Sequence, residues 1–319
     1  MFRIHFTPDD FARVSLAPRP APLQELNLAL AMMCRRDGEL LHGAWRRRAL
    51  RALPEATLPL ADLVPAGRAP GFLDVLADSL PEALEQVRSA PAELVSAELE
   101  RVYAPARTPA PVWIHDLHRG APEAWRSIHR AQMAAYEVLL GPVWSQVQDL
   151  HHAEFVRRAV QLAEGGVGSV LTGLLPGARL HRGVWELPGP PREVHLGGRG
   201  LLLLPSFHWT GGPLLAELAD RPVALTYPAG TGFPPRPDGT AGPQALVKVI
   251  GNTRVELLHL LADEHTTTEL ARRLRVSAAT VSAHTAALRG AGLISTSRAG
   301  KSVLHRRTAL GGLLLRQDA

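Results

Sequence analysis

The sequence predicts a mainly helical α+β fold in which a long N-terminal region precedes a smaller C-terminal domain. Helical spacing of apolar residues over Pro22–Cys34, Leu41–Leu53 and Pro122–Glu164 predicts helices. Between His181 and Tyr227, short apolar runs are separated by Gly and Pro, which predicts a small antiparallel sheet. Residues 228–244 then hold 9 Pro or Gly in 17 positions, and this composition predicts a linker.

Composition narrows the class of protein. The chain is 46% hydrophobic, which excludes wholesale disorder. Its length of 319 residues is sufficient for two or three domains. The longest wholly apolar run, Leu201–Leu204, is far too short to span a bilayer, and Met1–His5 lacks the apolar core of a secretory signal. The single cysteine, Cys34, provides no disulfide framework. We therefore expect a cytoplasmic protein without a membrane segment.

Proline and glycine divide the chain into four predicted parts. Residues 1–110 form a mostly helical region, which ends near the proline-rich stretch Tyr103–Pro111. Residues 111–227 combine helices with the antiparallel sheet. Residues 228–244 are the linker, and residues 245–319 are the C-terminal domain.

Local patterns predict further details of the N-terminal region. Phe2–Phe6 alternates in polarity and predicts an edge strand, and Thr7–Phe11 resembles a helix start with proline in the first turn. Gly141–Pro142 should interrupt the long helical stretch. Gly197–Gly200 is interpreted as a hairpin turn. It would make a poor phosphate loop, because it precedes a strand rather than a helix.

Histidines suggest two chemical sites that compete with a structural interpretation. His115, Asp116 and His118 have the spacing of metal ligands, but spacing alone is weak evidence and no fourth ligand is indicated. Ser206 and His208 could serve a hydrolase, although this serine follows a strand without the flanking glycines of a nucleophile elbow. We favour a structural or ligand-pocket role for these groups.

The C-terminal domain should contain two short helices close together. Thr266 and Glu269 have the capping-box spacing of a helix start, and Ser277 is the N-cap expected for a second helix. Only Arg275–Val276 separates them, which predicts an angled helix pair. The apolar face of the second helix is expected to comprise Val281, His284 or Thr285, and Leu288.

A two-stranded wing is predicted after these helices. Gly290–Gly292 ends the second helix, because glycine tolerates a left-handed backbone. Leu293–Ser297 and Ser302–Thr308 can then pair as strands, with Arg298–Lys301 at the tip. Cations on this hairpin suit a duplex backbone and the adjoining minor groove. They are Arg298, Lys301, Arg306 and Arg307.

Positive charge is concentrated in the same part of the chain. Residues 245–319 contain 11 basic and 5 acidic side chains, a net charge of +6. The other 244 residues hold the remaining 24 basic and 25 acidic side chains, a net charge of −1. This asymmetry indicates a polyanionic partner.

Residues 246–308 resemble the DNA-binding domain of the arsenic-repressor-like (ArsR) family of bacterial winged helix-turn-helix regulators. Glu269–Ala271, Ser277–His284 and Leu288–Ile294 carry the resemblance. The preceding region is similar, through weaker motifs, to the long N-terminal portion of a subgroup whose ligand is not established. The resemblance implies a DNA-binding transcriptional regulator.

Two departures from the family pattern affect the expected function. The first motif helix lacks the cysteine pair through which founding members sense metals, so we expect no metal at that position and no cofactor. The second helix is rich in alanine, which leaves few groups for hydrogen bonds to bases. Dimerisation and DNA shape should supply the remaining specificity.

We therefore expect a non-enzymatic, homodimeric repressor that reads a double-stranded DNA operator. Its N-terminal region would bind a small-molecule effector and support dimerisation. The alternatives are a metal-dependent enzyme or sensor fused to a DNA-binding domain, and an effector-independent DNA-binding or interaction protein. The residues expected to contact DNA are Arg272, Arg273, Ser277, Ala278, Ala279, Thr280, Ser282, Ala283, His284, Arg298, Lys301, Arg306 and Arg307.

Overall fold

The computed structural model describes residues 1–35, 39–65, 67, 69–107, 109–217, 221–229, 245–299 and 302–316. The chain divides into two compact units, Met1–Pro234 and Pro235–Ala319. They are called the N-terminal and C-terminal units below. Residues 230–244, most of the predicted linker, lie outside the described residues, as does Lys301.

Nine helices make up most of the described N-terminal unit. They are α1 (Pro8–Ala12), α2 (Pro22–Cys34), α3 (Glu39–Ala52), α4 (Leu58–Asp62), α5 (Leu80–Arg88), α6 (Ala92–Tyr103), α7 (Val112–His118), α8 (Pro122–Leu139) and α9 (Trp144–Leu174). Short 3-10 helices occupy Glu55–Thr57, Gly71–Leu73 and Gly141–Val143. The predicted interruption at Gly141–Pro142 is confirmed. A second break, at Gly166 (φ +69°, ψ −179°), lies inside α9.

The helices pack around an apolar core. Leu23 and Leu26 of α2, Leu99 of α6 and Ile128 of α8 are all at most 2% exposed within it. In α2 the buried residues Leu23, Leu26, Ala29 and Met33 recur every three or four positions, so the helix presents one apolar stripe to its neighbours. The mainly helical α+β class is confirmed.

Two mixed sheets complete the unit. The first contains β1 (Phe2–His5), β3 (Arg179–His181), β4 (Val184–Leu187) and β5 (Arg192–His195), in the order β3-β4-β1-β5. The second contains β2 (Val14–Leu16), β6 (Leu201–Ser206), β7 (Leu214–Ala216) and β8 (Val223–Pro228), in the order β2-β6-β8-β7.

The strand pairing differs from the single antiparallel sheet that the sequence predicts. The β1–β4, β3–β4 and β7–β8 pairs are antiparallel, but β1–β5, β2–β6 and β6–β8 are parallel. Strands β6 and β8 are buried along almost their whole length, as is typical of parallel strands. Strand β1 lies in the interior of its sheet, so the edge-strand prediction for Phe2–Phe6 is wrong.

The Gly197–Gly200 segment is not a hairpin turn, because β5 and β6 belong to different sheets. Gly197, Gly198 and Gly200 all have positive φ, which lets the chain turn sharply from one sheet into the other. The Gly200 amide donates to Asp10 Oδ1 at 2.9 Å. A Cβ atom at Gly200 would lie 2.5 Å from Arg13 Cβ and 2.6 Å from the Arg13 carbonyl oxygen.

We expect Gly200→Ala to destabilise the N-terminal unit by about 3 kcal/mol, since it combines left-handed backbone strain with a backbone clash. Gly197→Ala is the matched control. It has φ +62° but no neighbour within 4 Å of the added Cβ, so about 1 kcal/mol is expected. Urea unfolding followed by tryptophan fluorescence measures both, because all six tryptophans precede residue 210. Equal losses would contradict the close packing at Gly200.

The C-terminal unit is a small helical domain with one sheet. Its described helices are α10 (Ala245–Ile250), α11 (Asn252–Leu260), α12 (Thr267–Leu274), α13 (Ala278–Gly290) and α14 (Ala309–Arg316). Strands β9 (His265–Thr266), β10 (Ile294–Ala299) and β11 (Ser302–Arg307) pair antiparallel in the order β10-β11-β9. Leu257, Leu258, Leu270 and Val281 are fully buried at its centre. No helix among the described residues of the chain is both long and apolar enough to cross a membrane.

Candidate nucleic-acid interface

Helix α12 begins at the capping box that the sequence predicts. Thr266 Oγ1 accepts a hydrogen bond from the Glu269 amide at 3.2 Å, and Glu269 Oε2 accepts one from the Thr266 amide at 2.8 Å. The hydrogen bonds that the Thr266 amide and hydroxyl donate to Glu269 Oε2 lower the pKa of Glu269. The helix ends at Leu274, and the next residue, Arg275, adopts a left-handed conformation (φ +55°). The turn between the two helices therefore contains a non-glycine residue, Arg275, in a strained backbone conformation.

Helix α13 exposes a polar and alanine-rich face. Ser277 Oγ accepts from the Thr280 amide at 3.0 Å, which confirms the predicted N-cap. Val281, Thr285 and Leu288 are buried, so Thr285 rather than His284 completes the apolar face. The opposite face contains the exposed residues Ala278, Ala279, Ser282, Ala283 and Ala286, with Thr280 and His284 half-buried beside it.

The wing presents two of the predicted cations to solvent. Arg298 on β10 and Arg306 on β11 are exposed. Arg307 is half-buried, and its Nη1 donates to the Leu258 carbonyl of α11 at 3.1 Å. Arg307 thus has a structural role in addition to any contact with DNA. Arg272 and Arg273 are exposed on α12.

Residues 251–296, from the start of α11 to the first residues of β10, match the family model described as "Bacterial regulatory protein, arsR family". This segment is an ArsR-like helix-turn-helix domain. It lies near the C-terminus of a 319-residue chain, behind a long N-terminal region that the match does not cover. No curated protein and no solved structure shows significant similarity to the chain. The ArsR-like domain supports a DNA-binding transcriptional regulator.

One residue of this domain, His305, has a role that sequence reasoning missed. It is 5% exposed, with Nε2 3.0 Å from Thr267 Oγ1 and Nδ1 3.0 Å from Thr296 Oγ1. The ring therefore connects the wing to the first turn of α12. Burial lowers the pKa of His305, and Arg289 lowers it further. The sequence indicates only that His305 occupies an inward-facing position of a predicted strand. Histidines at such positions are too common for this pattern to predict a structural role.

We expect Arg306→Ala and Arg307→Ala to separate DNA contact from stability. Arg306→Ala should make the dependence of log affinity on log salt less steep by about 0.9, the loss of one phosphate contact. Arg307→Ala should lower the unfolding free energy of the ArsR-like domain by about 1.5–3 kcal/mol, because the Leu258 carbonyl loses a charged donor. Gel-shift titrations at several salt concentrations and circular-dichroism melts measure the two effects. An unchanged slope for Arg306→Ala would contradict the wing assignment.

The histidine pair on α7 does not form a three-ligand group. Asp116 Oδ1 accepts from Arg119 at 2.5 Å, and His118 Nε2 lies 3.5 Å from Glu100 Oε1. His115 and His118 are exposed. Ser206 does not lie in a nucleophile elbow, because it ends β6 and the described residues 207–213 are not helical. A nucleophile elbow needs a strand-to-helix turn.

A cluster of buried polar residues occupies the N-terminal unit instead. The Glu25 carboxylate accepts from the amides of Phe207 and His208, and His208 Nδ1 lies 2.8 Å from Glu25 Oε2. These contacts attach the end of β6 to α2. Gln24 Nε2 donates to Thr226 Oγ1 of β8. No described residue offers a hydrogen-bond partner to the buried Gln24 Oε1.

A small recess lies among these residues, and it has no free space for a water molecule in this structure. It lies at the carboxyl ends of β6 and β8, beside the start of α2. In open sheets with parallel strands, ligands bind at this end of the strands. The lining residues are Ala21, Gln24, Glu25, Leu28, Leu204, Pro205, Ser206 and Thr226.

Proposed function

We propose that this protein is a sequence-specific transcriptional repressor that places α13 in the major groove of DNA. The single observation that carries the proposal is the exposed face of α13 within an ArsR-like domain. Ala278, Ala279, Ser282 and Ala283 would lie nearest the bases, where methyl groups can contact thymine and Ser282 can hydrogen bond. Ser277, Thr280 and His284 would border this surface.

Exposed arginines on two sides of α13 would hold the DNA backbone. Arg272 and Arg273 lie on the preceding helix, and Arg306 lies on the wing. These three would contact phosphates, with Arg307 as a further contact. Arg298 would approach the adjoining minor groove, together with Lys301, which lies outside the described residues. Phosphate contacts position the protein but carry no sequence information.

We further propose that two copies bind one pseudo-palindromic operator. Few hydrogen-bonding groups are available on each α13, so one helix discriminates weakly among base pairs. Two helices reading half-sites about 10 base pairs apart would roughly double the discrimination energy.

The stoichiometry of the complex tests this proposal. The protein should first be used to isolate binding duplexes, and a bound duplex then analysed by sedimentation. Two chains per duplex are expected, with a single chain on a duplex that retains one half-site. One chain on the full site would contradict the dimer.

We propose that a small, compact effector binds the recess at the carboxyl ends of β6 and β8. The recess has no free space for a water molecule in this structure, so the Gln24 side chain or its neighbours would have to move for the effector to enter. The unpartnered Gln24 Oε1 favours a hydrogen-bond donor on that molecule. A thermal-shift screen of small polar metabolites tests this with Gln24→Leu as the matched variant. A hit should stabilise the wild type, alter its DNA binding, and have no effect on Gln24→Leu. A screen in which every hit acts equally on both proteins would place the effector elsewhere.

A further inference from the structure

Three potential metal ligands lie together on the solvent-facing side of the first sheet. His5 ends β1, and Glu193 and His195 lie on the neighbouring β5. The parallel register places His5 directly opposite His195 and Arg3 opposite Glu193. Side chains alternate between the two faces of a strand, so His5, Glu193 and His195 share one face. On the other face, Phe2, Ile4 and Val194 enter the core.

The distances within this His5 cluster are close to those of a coordination site. The potential ligand atoms of His5, Glu193 and His195 all lie within 4.8 Å of one another. The two imidazole rings stack with centroids 4.2 Å apart and planes at 16°. His5 Nε2 lies 3.9 Å from Glu193 Oε2. Among the described residues, no other three His, Cys, Asp or Glu side chains have potential ligand atoms that all lie within 4.8 Å of one another.

One potential ligand atom of the His5 cluster, His5 Nε2, lacks a hydrogen-bond partner among the described residues. This atom is buried. Glu193 is positioned by Arg3, whose Nη1 lies 3.4 Å from Oε1, while Oε2 remains on the His5 side. Arg3 is itself paired with Glu186, which offsets its charge. A buried polar atom without a partner is costly unless a ligand or ion satisfies it.

We propose that His5, Glu193 and His195 bind a divalent first-row transition-metal ion such as Zn²⁺, with water completing the coordination. Two imidazoles and one carboxylate suit zinc and its neighbours, whereas calcium and magnesium prefer oxygen ligands throughout. Ligand atoms around tetrahedral zinc lie about 3.3 Å apart, given metal–ligand distances near 2.0–2.2 Å. Glu193 and His195 are exposed, so their side chains have room to rotate towards that spacing.

This site goes beyond the proposed function and is separate from the ArsR-like domain. It would cross-link β1 to β5, whose paired residues are 190 positions apart in the sequence. An ion that binds only the folded protein raises its unfolding temperature.

Metal titrations of the full-length protein test the proposal. Calorimetry with ZnCl₂ and visible absorption with CoCl₂ should both show one equivalent bound to the wild type, together with a rise in the unfolding temperature. His5→Asn and His195→Asn should each abolish saturable binding, and Glu193→Gln should weaken it at least tenfold. His118→Asn is the matched control, because His118 is also exposed and faces the carboxylate of Glu100.

Three results would overturn the proposal. They are no saturable binding by the wild type, wild-type binding by both His5→Asn and His195→Asn, and an equal loss in His118→Asn. If His5→Asn unfolds at a lower temperature without metal, His195→Asn decides the outcome, since His195 is exposed on an edge strand.

Discussion

Ala279→Glu is expected to reduce the affinity for a selected DNA duplex by about 30-fold or more. Ala279 is exposed in the first turn of α13, on the face opposite the buried Val281 and Leu288. A carboxylate there would face phosphates and base-edge acceptors in the major groove. Juxtaposition of like charges at an interface costs several kcal/mol, and 2 kcal/mol corresponds to about 30-fold. Fluorescence anisotropy of a labelled duplex measures the change.

A matched substitution in the same unit separates this contact from a general effect of charge. Ala262 is exposed beyond the end of α11, beside Asp263 and Glu264, where the surface is already acidic. Ala262→Glu adds the same charge and should change affinity less than about threefold at physiological salt, where exposed charges are screened over roughly 8 Å. Similar losses in the two variants would show that α13 has no special contact with the duplex. Circular dichroism checks that both variants fold.

Acid is expected to destabilise the N-terminal unit through His151, and His151→Gln should remove that component. His151 lies in α9 and is 1% exposed. Burial lowers its pKa to about 4, although Glu25 and Glu154 act in the opposite direction. The unfolded chain has a histidine pKa of about 6.5. Between these values the unfolded state binds more protons, so stability present above about pH 6.5 is lost as the pH falls towards 4.

The magnitude follows from the difference between the two pKa values. The folded pKa of about 4 and the unfolded pKa of about 6.5 correspond to at most about 3.5 kcal/mol, since a tenfold change in a proton-binding constant is about 1.4 kcal/mol. Urea unfolding followed by tryptophan fluorescence should be compared between pH 7.5 and 4.5. The test is the difference between wild type and variant in the loss of unfolding free energy from pH 7.5 to 4.5, because the contribution of other titrating groups cancels in that difference. His152→Gln is the control, since the neighbouring His152 is exposed and is the smallest of the causes that set the pKa of His151, so this variant should stay close to the wild-type pH dependence. Parallel curves for wild type and His151→Gln would contradict the role of burial.

Features determined by local side-chain contacts could be predicted from the sequence. The capping box of Thr266 and Glu269 and the N-cap at Ser277 each involve residues three apart, so the pattern contains all the required information. The same holds for the break at Gly141–Pro142, where proline removes a backbone donor. These local signals are sufficient to indicate an ArsR-like domain without knowledge of its packing.

Features that depend on distant partners could not be predicted. Strand β1 pairs with β4 and β5 about 180–190 residues away, and nothing in Phe2–His5 specifies those partners. The unbroken Leu201–Leu204 run did carry a signal for a buried parallel strand, but the same run also fits an antiparallel core. The His5 cluster follows from this pairing, so sequence spacing pointed to His115 and His118 instead. The burial of His151 and the contacts of His305 likewise arise only from tertiary packing.

Selection of bound sequences from a random duplex pool tests the central claim most directly, namely that α13 reads DNA from the major groove. The full-length protein should be used, with Ala279→Glu carried through the same selection. We predict that the wild type enriches an inverted repeat whose half-sites are about 10 base pairs apart, and that the variant does not. A wild-type pool without a preferred sequence, or the same motif selected equally well by Ala279→Glu, would contradict the account.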